Sequence, residues 1–267
     1  MNVGGGTRLV GILNVTPDSF FDGGRFAGLE AAVRQGRRMA EEGAAMIDIG
    51  GQSTRPGHEE ISAGEEIARV GPVLESLAPT VSVPLSIDTY KPAVARAALA
   101  AGAQVLNDVR GFQGDPGMAA VAAEHGCAVI LMHHDRGFPK APGNTMEKIK
   151  RFFERSLTIA GEAGVAEERI ILDPGIGFFK TQAQNLEILG QLGVLKSFGR
   201  PLLLGASRKS VIGKALGVTP EESLEGTLAT TVLAVVQGVE FVRVHDVMAN
   251  FRAVRMTEAI LGAVGRA

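Results

Sequence analysis

The sequence predicts a single-domain α/β fold, a (β/α)8 TIM barrel spanning residues 1–267. Three observations lead there. Short apolar runs alternate with longer amphipathic stretches eight times along the chain. The apolar runs are continuous rather than alternating with polar residues, as expected of parallel strands buried on both faces. A length of 267 residues is also usual for eight β/α units closed on themselves. The same periodicity suits an open, doubly wound sheet, so closure rests on the number of units and the length, not on the pattern.

The elements follow in order. Residues 7–13 read as the first strand, and 29–42 as a helix stopped by Gly43. Residues 45–49 form a second strand and 64–78 its helix. A third strand at 84–87 leads to a helix at 92–101, stopped by Gly102. A fourth at 104–106 leads to a helix at 116–124, stopped by Gly126. A fifth strand at 128–132 precedes a long helix at 145–163, which Gly164 ends. The sixth strand lies at 170–172 with a helix at 182–189, the seventh at 201–204 with a helix at 220–236. An eighth strand at 240–244 and a helix at 249–264 close the chain.

Composition narrows the function. Lys and Arg number 27 against 29 Asp and Glu, a net charge of −2, so no basic footprint for nucleic acid exists. Apolar residues make up 45% of the chain, too many for a disordered one. The single cysteine, Cys127, excludes a disulfide framework and a multi-cysteine zinc site. No basic-then-apolar leader opens the sequence, and no uncharged apolar stretch reaches the ~18–20 residues of a spanning helix. The expectation is a soluble, cytoplasmic protein with no membrane or nucleic-acid partner.

The polar residues gather where the strands end. Asn14 follows the first strand and Asp48 ends the second, with Ser53, Thr54 and Arg55 in its loop. Asp88 ends the third, Asn107 and Asp108 the fourth. His133 and His134 follow the fifth, and Asp173 ends the sixth. Ser207, Arg208, Lys209 and Ser210 follow the seventh; Arg243, His245 and Asp246 end the eighth. Any one of them suits a helix cap or a turn. Together, in a barrel, they converge on the C-terminal face, where barrel active sites lie.

Asp88, Asn107 and Asp173 then make a polar cluster in an apolar cup. Carboxylates accept paired N–H bonds and an amide both donates and accepts, so the cluster suits a flat heterocycle with an amidine-like edge. The other reading has these groups bonding loop backbone. Arg55, Arg208, Lys209, Arg243 and His245 bring positive charge to the same face, and barrels often hold phosphate after strands 7 and 8. The loops from 14 to 24 and from 50 to 57 are long and rich in glycine, as covering loops are. P-loop, dinucleotide, zinc-protease, C-x-x-C and nucleophile-elbow motifs are all missing.

Several stretches carry a family resemblance. Gly11-Ile12-Leu13-Asn14-Val15-Thr16-Pro17-Asp18-Ser19-Phe20, followed by Asp22-Gly23-Gly24, resembles the first signature of the dihydropteroate synthases. Asp48-Ile49-Gly50-Gly51-Gln52-Ser53-Thr54-Arg55-Pro56-Gly57 resembles their second. Ser86-Ile87-Asp88-Thr89-Tyr90-Lys91, Asn107-Asp108-Val109 and Asp173-Pro174-Gly175-Ile176-Gly177-Phe178 match in order. Gly205-Ala206-Ser207-Arg208-Lys209-Ser210 and Arg243-Val244-His245-Asp246 complete the set, which runs over residues 9–261.

The resemblance implies a (β/α)8 barrel that joins 6-hydroxymethyl-7,8-dihydropterin diphosphate to 4-aminobenzoate, with Mg2+ accompanying the diphosphate and sulfonamides competing with the aminobenzoate. It places the pterin on Asp88, Asn107, Met132, Asp173, Gly205, Lys209 and Arg243. It places the diphosphate on Asn14, Arg243 and His245, with Asn14 near the metal. It places the aminobenzoate on Thr54, Arg55, Pro56, Phe178, Lys209 and Ser210. Asp22 matches the first-loop carboxylate and, with Lys209, Arg243 and Asn14, carries the chemistry. A homodimer through the helices after strands 6, 7 and 8 is implied as well.

Three residues depart from the family pattern. Gln52 stands where Glu is usual, Phe21 where Ser is frequent, and His134 where Asn is frequent. None is a residue the resemblance assigns to chemistry, but the loss of a charge at Gln52 could alter closure of the second loop. Two rival readings share the pocket. A methyltetrahydrofolate-dependent corrinoid methyltransferase would keep the Asp88, Asn107 and Asp173 cluster but would not need the Asn14-to-Gly24 signature. A non-catalytic pterin-binding module would keep the pocket and lack turnover.

Overall fold

The computed structural model describes residues 6–16, 25–52, 60–140 and 143–265. Eight strands are present: β1 Arg8–Asn14, β2 Ala44–Gly50, β3 Leu85–Asp88, β4 Val105–Asp108, β5 Ala128–Met132, β6 Ile170–Asp173, β7 Leu203–Leu204 and β8 Phe241–Val244. The helices among the described residues are α1 Arg25–Glu41, α2 Ala63–Leu77, α3 Pro92–Ala100, α4 Gly117–His125, α5 Thr145–Glu162, α6 Gln182–Gly190, α7 Ser210–Leu216, α8 Leu224–Val236 and α9 Val247–Ala263.

Every strand pair is parallel, in the order β6-β5-β4-β3-β2-β1-β8-β7. A parallel bridge between Leu172 and Leu202 joins the two ends, with Leu172 N donating to Pro201 O at 2.9 Å. The sheet is therefore a closed barrel, not the open sheet that periodicity alone allowed. Closure rests on the shortest strand. Pro201 has no N–H to give, so regular pairing begins only at Leu203.

Local chemistry sets the helix ends. Ser62 Oγ accepts from Glu65 N at the start of α2, and Asn144 Oδ1 from Met146 N at the start of α5. Thr181 and Gln184 form a reciprocal capping box on α6. The helix expected at 220–236 begins only at Leu224, because Ser223 Oγ donates back to Pro220 O at 2.6 Å and holds those residues in a turn. The short α7, ended by Gly217 in the left-handed region at φ 72°, was not legible in the pattern. Two 3-10 turns, Glu167–Arg169 and Leu192–Phe198, were missed as well.

Burial forms two shells. Outward-facing strand residues such as Leu13, Ile47, Ile87, Leu131, Leu204 and Val244 pack beneath the helices in one continuous core. Inside the barrel, Val10, Met46, Val105, Ile130, Ile171, Leu203 and Phe241 form a separate apolar plug. Side chains alternate faces along a strand, so the next inward position lies two residues further on. The plug fills the bottom of the barrel and leaves the residues above it to line a cup.

Candidate active site

Counting two residues up from the plug gives the lining of the cup. Met46 leads to Asp48, Val105 to Asn107, Ile130 to Met132, Ile171 to Asp173, Leu203 to Gly205 and Phe241 to Arg243. The register adds the rest: Asn14 pairs with Gly50, Gly50 with Asp88, and Asp88 with Asn107. The sequence-predicted pterin residues Asp88, Asn107, Met132, Asp173, Gly205 and Arg243 thus line one cup above the plug. Thr54, Arg55, Pro56 and Asp22, and the departure Phe21, lie outside the described residues.

Arg243 organises the ring. Its Nε donates to Asp48 Oδ2 at 2.6 Å, and a terminal nitrogen donates to Asp88 Oδ2 at 3.0 Å. Asn107 Nδ2 donates to the same Asp48 oxygen at 2.9 Å. Asp48 is fully buried and was not among the predicted site residues. Its signal was available, since it sits at an inward position two beyond Met46. The remaining oxygens, Asp48 Oδ1 and Asp88 Oδ1, are buried with no hydrogen-bond partner among the described residues. Buried acceptors of this kind are costly unless a ligand satisfies them.

The electrostatics follow from burial. Loss of solvent pushes the Asp88 carboxyl up to about 7, against the pull of Arg243 and with the help of Asp48. Burial raises Asp173 as well, while Lys209 and the Gly175 N–H, which donates to Oδ1 at 2.8 Å, hold it down. The ring is thus a set of acceptors whose charge is poorly solvated and only partly neutralised. It suits a neutral, flat heterocycle that brings its own N–H groups.

The basic side of the cup lies next to it. Lys209 caps α7, and its Nζ donates to Ile176 O at 2.7 Å and sits 4.7 Å from the centre of the Phe178 ring. A Cβ placed on Gly205 would lie 3.7 Å from both Lys209 Nζ and Asp173 Oδ2, so the glycine opens the floor between them. Ser210, the first residue of α7, is exposed. His245 Nδ1 lies 3.0 Å from Ser207 Oγ. Arg208, expected to join this positive set, is instead tied to both oxygens of Asp246 at 3.2 and 2.7 Å. Its guanidinium closes the β7 loop onto the start of α9.

Asp108 also has a structural role. Its carboxylate accepts from Arg110 N and Phe112 N, both at 2.8 Å, and so folds the turn after β4. His133 is buried between Phe138 and Phe152, and burial holds it far below its ordinary value, so it is neutral. Its Nδ1 meets Lys180 Nζ at 2.9 Å. Lys180, missed in the sequence, also donates to Gly175 O at 2.8 Å and Phe178 O at 3.1 Å, pinning the loop that carries Phe178. That loop passes so close to β5 that a Cβ on Gly175 would lie 2.2 Å from His133 O.

Gln52 points away from the ring. Its Oε1 accepts from Lys91 Nζ at 2.6 Å and from Ile61 N at 3.2 Å, and its Nε2 donates to Tyr90 Oη at 2.8 Å. Lys91 in turn pairs with the buried Glu66 at 2.7 Å. His134 packs its ring on Phe179 and Phe178, with centroids 4.8 and 5.9 Å apart.

No three His, Cys, Asp or Glu side chains among the described residues are grouped to hold a metal ion. Isolated side-chain oxygens remain as donors. A Cβ on Gly50 would lie 3.8 Å from Asn14 Oδ1 and 3.9 Å from Asp88 Oδ2, so both oxygens border the same space. Hard oxygen donors, few in number, fit Mg2+, which keeps most of its waters and shares itself with substrate phosphates.

Residues 10–245 match the family described as pterin binding enzyme. The dihydropteroate synthase of Clostridium beijerinckii is 48% identical over 261 residues, 97% of this chain and 96% of that protein. The crystal structure of dihydropteroate synthase from Clostridium difficile in the presence of pteroic acid superposes with a TM-score of 0.94 at 49% identity, over 97% of this chain and 98% of the other. The Xanthomonas albilineans dihydropteroate synthase with 4-aminobenzoic acid gives a TM-score of 0.90 at 42% identity, over 95% and 93%.

Proposed function

The chain belongs to the pterin binding enzyme family, and from that premise we infer that it joins 6-hydroxymethyl-7,8-dihydropterin diphosphate to 4-aminobenzoate, forming 7,8-dihydropteroate and diphosphate. The observation that supports this most is the Asp48–Asp88–Asn107–Asp173–Arg243 ring. It places unpartnered buried acceptors beside one cation, at the level of the barrel that faces the Lys209 side.

The pterin fits the ring edge-on. Asp173 and Asp88 accept from its N–H groups, Asn107 offers its amide, and Met132, packed against Phe178 and Val109, supplies an apolar wall. Gly205 leaves room for the methylene to approach Lys209. The diphosphate then extends toward Asn14, Lys209, His245 and the Arg243 nitrogen that is not bonded to Asp48 or Asp88. Mg2+ held by Asn14 Oδ1 would supply charge neutralisation at the diphosphate.

The reaction exchanges one bond for another. The methylene carbon–oxygen bond breaks and its electron pair leaves with the diphosphate. Lys209 and the free edge of Arg243 stabilise that growing charge. The electron-rich pterin shares the positive charge left on the methylene, which makes the path dissociative. Asp22 is the carboxylate assigned to stabilise that cation. The aminobenzoate amine then attacks, the carbon–nitrogen bond forms, and the amine proton passes to water. A weakly basic aromatic amine needs no prior deprotonation, so no general base takes part in the attack. Thr54, Arg55, Pro56, Phe178, Lys209 and Ser210 hold the aminobenzoate.

Among the described residues no helix is long and apolar enough to cross a membrane, and we place the enzyme in the cytoplasm. Exposed Leu186 on α6, Val232 and Val236 on α8, and Met256 and Ile260 on α9 give an apolar face suited to a homodimer. The test of the reaction is diphosphate release by purified protein with Mg2+ and the pterin diphosphate. Release that requires aminobenzoate and yields dihydropteroate supports the reading. Pterin binding without turnover overturns it in favour of a non-catalytic pterin-binding module.

A further inference from the structure

Outside the polar ring, an open cleft of about 740 Å3 lies among the β4 and β5 loops and α5. That is ample for a small molecule of nucleotide size. Its wall carries Arg110, Arg136, Lys148, Arg151 and Arg155, with Glu60 and Asp135 as its carboxylates. Five cations against two carboxylates line one cleft of a chain whose net charge is −2. None of the residues assigned to pterin, diphosphate or aminobenzoate lines it.

The cations are arranged, not scattered. Lys148, Arg151 and Arg155 follow one another at three and four residues along α5, so their side chains form one stripe. Arg136, Arg151 and Arg155 have no carboxylate within ion-pair distance among the described residues. Arg110 faces them from the β4 loop. Its guanidinium stacks 3.7 Å above the Tyr90 ring and donates to Glu60 at 3.1 Å, which fixes its orientation. Phe152 presents a partly buried ring between the two walls.

Guanidinium groups on opposing walls match a chain of phosphates, since each can bind two phosphate oxygens side by side. Like charges facing one another across a cleft raise the free energy of the empty site and favour an anion between them. His134, also in the wall, is held down to about 4 by burial and by Arg110, so it adds no charge at neutral pH.

We propose that this cleft is a second anion site, which binds a small polyphosphate through Arg110, Arg136, Arg151 and Arg155. An inorganic polyphosphate and a nucleoside triphosphate share that chemistry, and Phe152 would favour the second by stacking on its base.

The test is calorimetric titration of tripolyphosphate, and separately of adenosine triphosphate, into wild-type protein and into R151E/R155E at physiological salt. The expected result is binding to the wild type that weakens roughly tenfold or more in the variant. Condensation activity without added polyphosphate should stay unchanged, which reports an intact fold. If the glutamates impair folding, R151Q/R155Q gives the same comparison, with a smaller weakening expected. Equal affinity for the two probes assigns recognition to the phosphates, and tighter nucleotide binding adds the Phe152 ring. No binding at millimolar probe, or equal affinity in wild type and variant, overturns the proposal.

Discussion

Arg243 Nε lies 2.6 Å from Asp48 Oδ2 across the inside of the barrel, 195 residues apart in sequence, and Asp48 is fully buried. The pair ties β2 to β8 over the intervening β1, so the binding ring also holds neighbouring strands together. Arg243→Met would leave Asp48 and Asp88 buried together without their cation. Breaking a buried ion pair from one side costs about 3–5 kcal/mol. Urea denaturation at pH 8 should show a loss of that size, with condensation abolished. A loss below about 1 kcal/mol would remove Arg243 from its structural role.

Asp88 makes stability depend on pH in a definite direction. Burial raises its carboxyl from 3.8 in the unfolded chain to about 7 in the fold. Between those values the folded state holds more protons, so the Asp88 contribution is present at low pH and is lost as pH rises through about 7. Asp88→Asn removes that titration. Wild-type stability relative to the variant should therefore fall between about pH 5 and about pH 8. Parallel stability curves for the two proteins across that window would contradict the assignment.

Gly205 separates binding from folding. A methyl group there would meet Asp173 Oδ2, Lys209 Nζ and Arg243 Cβ at 3.7 to 3.9 Å, ordinary contact that needs no backbone shift. Gly205→Ala should keep its melting temperature and lose affinity for the pterin diphosphate roughly tenfold or more, because the methyl fills the floor of the cup. Unchanged affinity would show that the pterin does not reach this floor.

Lys180 is a positioning residue. Its ammonium satisfies two backbone carbonyls of the loop carrying Phe178 and abuts His133. Lys180→Met leaves those carbonyls without this donor, at a cost of about 1–3 kcal/mol each where water cannot replace it. Steady-state kinetics should show a raised KM for 4-aminobenzoate with pterin diphosphate affinity nearly unchanged. Equal losses for both substrates would mean general destabilisation instead.

The strands and most helices were legible because each relies on local chemistry. Gly102 and Gly126 end helices in the left-handed region, and the apolar runs are too short for helices. Barrel closure was legible only through the number of units and the chain length, since its seam is one bridge between Leu172 and Leu202. Within the site, strand ends revealed Asp88, Asn107 and Asp173. Asp48 was passed over because its role comes from Arg243, 195 residues away in sequence. Arg208 suits an anion by its position in sequence, but in the fold Asp246 holds its guanidinium. Lys180 sits in a loop that gives no sign, in one dimension, of its burial.

The proposed reaction breaks the methylene carbon–oxygen bond of a pterin held in the ring. The direct measurement uses pterin diphosphate carrying 18O in the bridge between methylene and phosphorus, turned over with 4-aminobenzoate. All of the label should leave in the diphosphate, with unlabelled dihydropteroate as the other product. Label retained in a hydroxymethylpterin would mean cleavage at phosphorus, and would make the chain a diphosphatase rather than a pterin transferase.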